Sequence, residues 1–145
     1  MEISGMGSNR RLGVLVDTNI LLYVYDGVDP FSKVLEFLDF KPRFYIHTVV
    51  LNELSTLEGK YARSTKMLSR IRLAREYLRT YGGWWETVDL FQELPPDEAL
   101  LRTAVELGLV IFTNDIALKK LALKNSIGII FMSRWGKIIK SVYTI

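Results

Sequence analysis

The chain has 145 residues, 49% hydrophobic and 24% charged, with a net charge of +3, which is the balance of an ordinary globular domain. It has no cysteine and one histidine, His47, which excludes disulfides, thiolate metal sites and any site built on two imidazoles, so a metal here must be held by oxygen, as hard ions such as Mg²⁺ or Mn²⁺ prefer. No apolar run approaches the roughly 20 residues that span a bilayer, and residues 1–10 lack the apolar segment of a signal peptide, so a short flexible leader on a cytoplasmic protein is expected.

Residues 12–16 (LGVLV) are a short apolar run and read as a buried strand ending at Asp17. Residues 19–25 follow as a helix stopped by Asp26-Gly27, and 31–39 as a second helix. Residues 43–46 (RFYI) read as strand two. A helix over 48–58 carries Val50, Leu54 and Leu57 on one side, and the longest helix, 64–81, carries Met67, Leu68, Ile71, Ala74, Tyr77 and Leu78 before Gly82-Gly83 ends it. Residues 84–88 are the third strand. Pro95-Pro96 introduces a helix over 97–107; 109–112 (LVIF) is strand four, 115–124 a helix, and 127–131 (IGIIF) strand five. Residues 137–140 read equally as helix or edge strand. Strands alternating with helices predict an α/β fold with helices on both faces of a parallel sheet of four to five strands. In such sheets ligands bind beyond the carboxyl ends of the strands, where the strand order reverses.

Two acids stand at those ends. Asp17 closes strand one and Asp115 follows strand four, and either alone reads equally well as a helix N-cap. Glu53 and Asp97 differ. By helical spacing Glu53 lies on the stripe of Val50, Leu54 and Leu57, and Asp97 on that of Leu100, Leu101, Ala104 and Val105. A carboxylate on a core-facing stripe must be paired, protonated or metal-bound. In the order 3-2-1-4-5, strands one and four are neighbours, so Asp17 and Asp115 are expected to face each other across about 4.8 Å, where carboxylates repel unless a cation lies between them. Such a pocket suits hard divalent ions able to activate water in phosphodiester cleavage.

The basic residues favour a polyanion. Between residues 60 and 79 there are seven (Lys60, Arg63, Lys66, Arg70, Arg72, Arg75, Arg79) against Glu76, and beyond Asp115 there are basic residues but no acid. Arg70, Arg72, Arg75, Lys119 and Lys120 are the candidates for RNA contact. A solvated helix face is the alternative. His47 reads as a hydrogen-bonded surface group, and of Trp84 and Trp85 one is expected in the core and one partly exposed.

These residues, in this order, resemble the PIN domain nucleases: Asp17-Thr18-Asn19 after strand one, Asn52-Glu53-Leu54 in a helix, Pro96-Asp97-Glu98 opening a later helix, and Thr113-Asn114-Asp115 after strand four. The match runs from Leu12 to the C-terminus. With Gly27-Val28-Asp29 before Phe31 and a basic long helix, the chain looks most like the archaeal Fcf1-like and VapC-like group. The resemblance implies a PIN-like three-layer α/β/α domain over 11–145 after the leader of 1–10. It implies an Mg²⁺- or Mn²⁺-dependent endoribonuclease that cleaves RNA with metal-activated water. Asp17, Glu53, Asp97 and Asp115 would be the catalytic metal ligands, and Thr18, Asn19, Thr113 and Asn114 would support them. It implies an RNA substrate, an antitoxin or ribosome-processing partner, and a homodimer. The zinc ribbon of Nob1-type relatives is absent, and the later acid of VapC-like endings is not found. Two other readings are a PIN-like RNA- or protein-binding module that does not cut, and a receiver-like phosphoacceptor. The latter lacks the second acid beside Asp17 and the lysine after strand five.

Overall fold

The computed structural model describes residues 12–133 and the backbone of a further strand, 138–142. The leader expected over residues 1–10 lies outside them.

The parallel strands are β1 (Gly13–Val16), β2 (Arg43–His47), β3 (Trp85–Val88), β4 (Val110–Phe112) and β5 (Ile129–Met132). They stand in the expected order 3-2-1-4-5. The ambiguous segment resolves as β6 (Ile138–Val142), antiparallel to β5 at the sheet edge. Burial follows position. All four residues of the central β1 are buried, while the edge strand β3 is only half-buried at Trp85 and Val88.

Among the described residues six helices flank the sheet: α1 (Thr18–Leu22), α2 (Pro30–Leu38), α3 (Thr48–Lys60), α4 (Thr65–Thr80), α5 (Pro96–Leu107) and α6 (Ile116–Lys124). The first is shorter than its pattern suggested, because the chain tightens into a 3₁₀ turn over Tyr23–Asp26 that closes at Gly27, whose φ of 85° suits glycine. Side-chain caps set several helix starts: Asp29 accepts from the Ser32 N–H and Ser64 from the Met67 N–H, at 3.1 Å each. The Gly82–Trp84 segment is a 3₁₀ turn, so β3 begins one residue later than expected.

The core lies between the sheet and its helices. Phe31 of α2 stacks on Phe44 of β2 with ring centres 4.3 Å apart, and Trp84 lies parallel to Phe31 at 6.2 Å. Both tryptophans are half-buried rather than divided between core and surface. Lys41 covers the Trp84 ring, and the Trp85 indole N–H donates to the Leu78 carbonyl at 2.8 Å. Val105, expected on the buried stripe of α5, is exposed, because the helix turns its Ala99–Thr103 side inward. There the Thr103 hydroxyl donates to the Leu90 carbonyl at 3.1 Å. No described helix is long and apolar enough to cross a membrane.

Candidate active site

Asp17 ends β1, where its N–H still donates to Phe112 of β4 at 2.9 Å. Its side chain is 8% exposed. One carboxylate oxygen accepts from the Thr18 N–H at 2.8 Å and the other from the Thr113 hydroxyl at 2.6 Å. The expected apposition of Asp17 with Asp115 is therefore corrected. Val16 pairs with Phe112, so the residue beside Asp17 is Thr113, and Asp115 lies two residues further on. Thr113 links the two acids, since its hydroxyl also accepts from the Asp115 N–H at 3.0 Å. Asp115 caps α6 by accepting from the Leu118 N–H at 3.0 Å. It is thus an N-cap and a cavity residue at once.

Helices α3 and α5 supply the other two acids. Glu53 follows β2 by a turn and a half of α3, and the Thr18 hydroxyl donates to its Oε1 at 2.7 Å. Asp97 lies in the first turn of α5. A cavity of about 210 Å³ is lined by Asp17, Glu53, Asp97 and Asp115 together with Thr18 and Asn19. Thr113 and Asn114 support it from behind. Asn114 ties three elements together: its N–H donates to Asn19 Oδ1 at 3.4 Å, its Nδ2 to the Tyr23 hydroxyl at 3.3 Å, and its Oδ1 accepts from the Met132 N–H of β5 at 2.8 Å. Tyr23 thereby supports the site, and its position one turn after Asn19 was the available signal.

The acids feel one another. Burial pushes Asp17 up to about 6; the hydrogen bonds from Thr113 and Thr18 oppose that rise, and the charges of Glu53 and Asp97 add to it. Asp97 is also raised, first by burial and then by the charges of Asp115 and Glu53. Among the described residues no lysine or arginine lines the cavity. Among the described residues, no three Asp, Glu or His side chains form a ready-made ligand cluster. The donor chemistry nevertheless fits a hard divalent cation. Every charged group is a carboxylate, two have their pKa raised above the ordinary range, first by burial and then by their neighbours' charges, and a cation would relieve the repulsive part.

The basic candidates do not line this cavity. Arg70 is used internally. Its side chain is 20% exposed, makes a two-pronged pair with Asp26 at 2.8 and 3.2 Å, donates to the Leu22 carbonyl at 3.2 Å and covers the Tyr25 ring. Arg75 pairs with Glu58 at 2.8 Å and with Ser55 at 3.0 Å, and Lys119 lies over Phe131. Arg72 and Lys120 are exposed. Replacing Arg70 with Met should therefore cost about 1–3 kcal/mol of stability, by leaving the end of α1 uncapped and Asp26 unpaired. A urea melt checks it. An unchanged midpoint would mean that the clamp holds nothing.

His47 is fully buried, not a surface group. Its Nδ1 accepts from the Val49 N–H at 3.0 Å and caps α3, which leaves Nε2–H to donate to the Leu90 carbonyl at 2.6 Å. It anchors the helix that carries Glu53 and does not line the cavity.

Fold and site together define an α/β/α protein with acids gathered where parallel strands hand over to helices. No protein-family model and no curated protein matches the chain. Solved structures do. The PIN domain endonuclease Utp24 superposes with a TM-score of 0.66 at 21% identity, covering 87% of this chain and 88% of that one. A domain of a functionally unknown protein from Methanocaldococcus jannaschii DSM 2661 gives 0.58 at 19%, covering 92% and 99%. PAE2754 from Pyrobaculum aerophilum gives 0.52 at 15%, covering 86% and 96%. The fold of this chain is the PIN domain fold.

Proposed function

We infer that the protein is an Mg²⁺- or Mn²⁺-dependent endoribonuclease, with Asp17, Glu53, Asp97 and Asp115 as the residues that hold the metal. The observation that carries this reading is one cavity with four carboxylates, no cation among its lining residues, and two acids raised by burial and mutual repulsion. A divalent ion bound there would activate water and stabilise the charge that develops on the phosphodiester oxygens. The chain's own residues orient the acids. Thr113 holds Asp17 and the backbone of Asp115 from one side, and Thr18 holds Glu53 from the other. Thr18, Asn19, Thr113 and Asn114 are thus positioning residues.

RNA is the proposed substrate, and the two exposed basic candidates, Arg72 and Lys120, are its proposed backbone contacts. Exposed Val105 and Leu107 at the end of α5 and Ile116 at the start of α6 support a homodimer through these neighbouring helices.

The test is cleavage of a single-stranded oligoribonucleotide with Mn²⁺ or Mg²⁺. Internal cuts that EDTA abolishes, and that Glu53→Gln slows about a hundredfold or more, are the expected result. Wild-type rates in Glu53→Gln would end the metal assignment. Internal cuts that persist in EDTA would do the same.

A further inference from the structure

The cavity that holds the four acids has a second, apolar lining. Leu22 and Leu57, half-buried at the margin of the core, and the exposed Pro96 border it. Each belongs to the helix that also carries a polar site residue: Leu22 stands four residues after Thr18 on α1, Leu57 four after Glu53 on α3, and Pro96 directly before Asp97 on α5. Residues four apart on a helix share one face, so α1 and α3 present Leu22 and Leu57 on the side that presents Thr18 and Glu53, while Pro96 opens α5 at the cavity's border.

An inorganic anion gains nothing from such a wall. A phosphodiester held at the carboxylates through a cation does, because it brings a flat, uncharged base on each neighbouring sugar. Beside the wall, the Thr18 hydroxyl donates to Glu53, and Asn19 Oδ1 accepts from the Asn114 N–H. The wall can cover the face of a base. A base paired and stacked in a duplex cannot enter a cavity of about 210 Å³ bordered by three helices.

We propose that Leu22, Leu57 and Pro96 form a rest for the face of an unpaired nucleobase beside the reacting phosphate. The proposal rests on the nuclease reading above. It assigns to the site a subsite that the acids alone do not supply.

The test walks one abasic ribose along a single-stranded oligoribonucleotide of fixed sequence. With Mn²⁺, an abasic position next to the cut should slow cleavage about 5- to 100-fold, as expected for losing one base contact. One placed several nucleotides away should matter less than about twofold. In Leu57→Ala the penalty at the cut should shrink toward none, with Leu22→Ala as the second variant should the first not fold. A variant that slows intact and abasic RNA equally has only a structural effect and overturns the proposal, as does wild-type protein indifferent to the abasic position. Binding of the same oligonucleotides, followed by fluorescence anisotropy with Ca²⁺ in place of Mn²⁺, separates the two ideas. Wild-type protein that cuts no RNA with Mn²⁺ refutes the nuclease reading. Equal affinity for intact and abasic strands refutes the base rest.

Discussion

Asp17→Asn is expected to make the protein more stable and to stop it cutting RNA. Asp17 is 8% exposed and its carboxyl is pushed up to about 6 from an ordinary 3.8, chiefly by burial. Below about pH 4 the group is protonated in both folded and unfolded chains and contributes nothing. Between about 4 and 6 the folded chain keeps a proton that the unfolded chain releases, so stability falls as pH rises. Above 6 the full penalty of holding a buried carboxylate applies, on the order of 3 kcal/mol for a shift of this size. Asparagine removes that charge while keeping an oxygen for the Thr18 N–H. Its amide nitrogen meets the Thr113 hydroxyl, which must turn to accept, and this offsets part of the gain. The variant should therefore be about 1–3 kcal/mol more stable than wild type at pH 7 without added metal, and level with it near pH 3.5. Its cleavage rate should fall at least about a hundredfold. Urea melts at the two pH values and a cleavage assay decide the matter. A less stable variant at pH 7 would mean that Asp17 is favourably paired rather than strained.

Divalent metal should restore what the buried acids cost. An ion that binds the folded chain alone stabilises it by about 2.7 kcal/mol at a hundred times its Kd. Melting in Mn²⁺ at pH 7.5 should thus occur several degrees higher than in EDTA. The rise should shrink as pH falls through about 6, because the proton on Asp17 competes with the ion. Asp17→Asn should lose most of the rise. A melting temperature indifferent to Mn²⁺ at pH 7.5 would leave the cavity without its proposed ion.

Much of the fold was legible because strands buried on both faces read as short continuous apolar runs. Residues 12–16 and 109–112 are of this kind, and the helices between them carry their own caps and stops. Glu53 and Asp97 stood out because an acid on an apolar stripe needs a reason. The misreadings share another cause. Val105 and the tryptophans follow patterns that permit two orientations, and only packing against a particular neighbour selects one. His47 read as a surface group since nothing local shows that Leu90, 43 residues away, brings its carbonyl to the ring. Basic residues showed their charge but not their partners, so Arg70 read as an RNA contact although Asp26 and Leu22 hold it.

The sequence by itself determined the alternation of strands and helices, the oxygen-only chemistry of any metal site, and which four acids to examine. These follow from residue type and short-range spacing. Tertiary structure alone decided that Thr113, not Asp115, faces Asp17, because that depends on the register of β1 against β4, whose first paired positions, Val14 and Val110, are 96 residues apart. It also decided that Asp17 is buried deeply enough to be pushed up to about 6, since desolvation is set by everything that closes over a group and not by its neighbours in the chain.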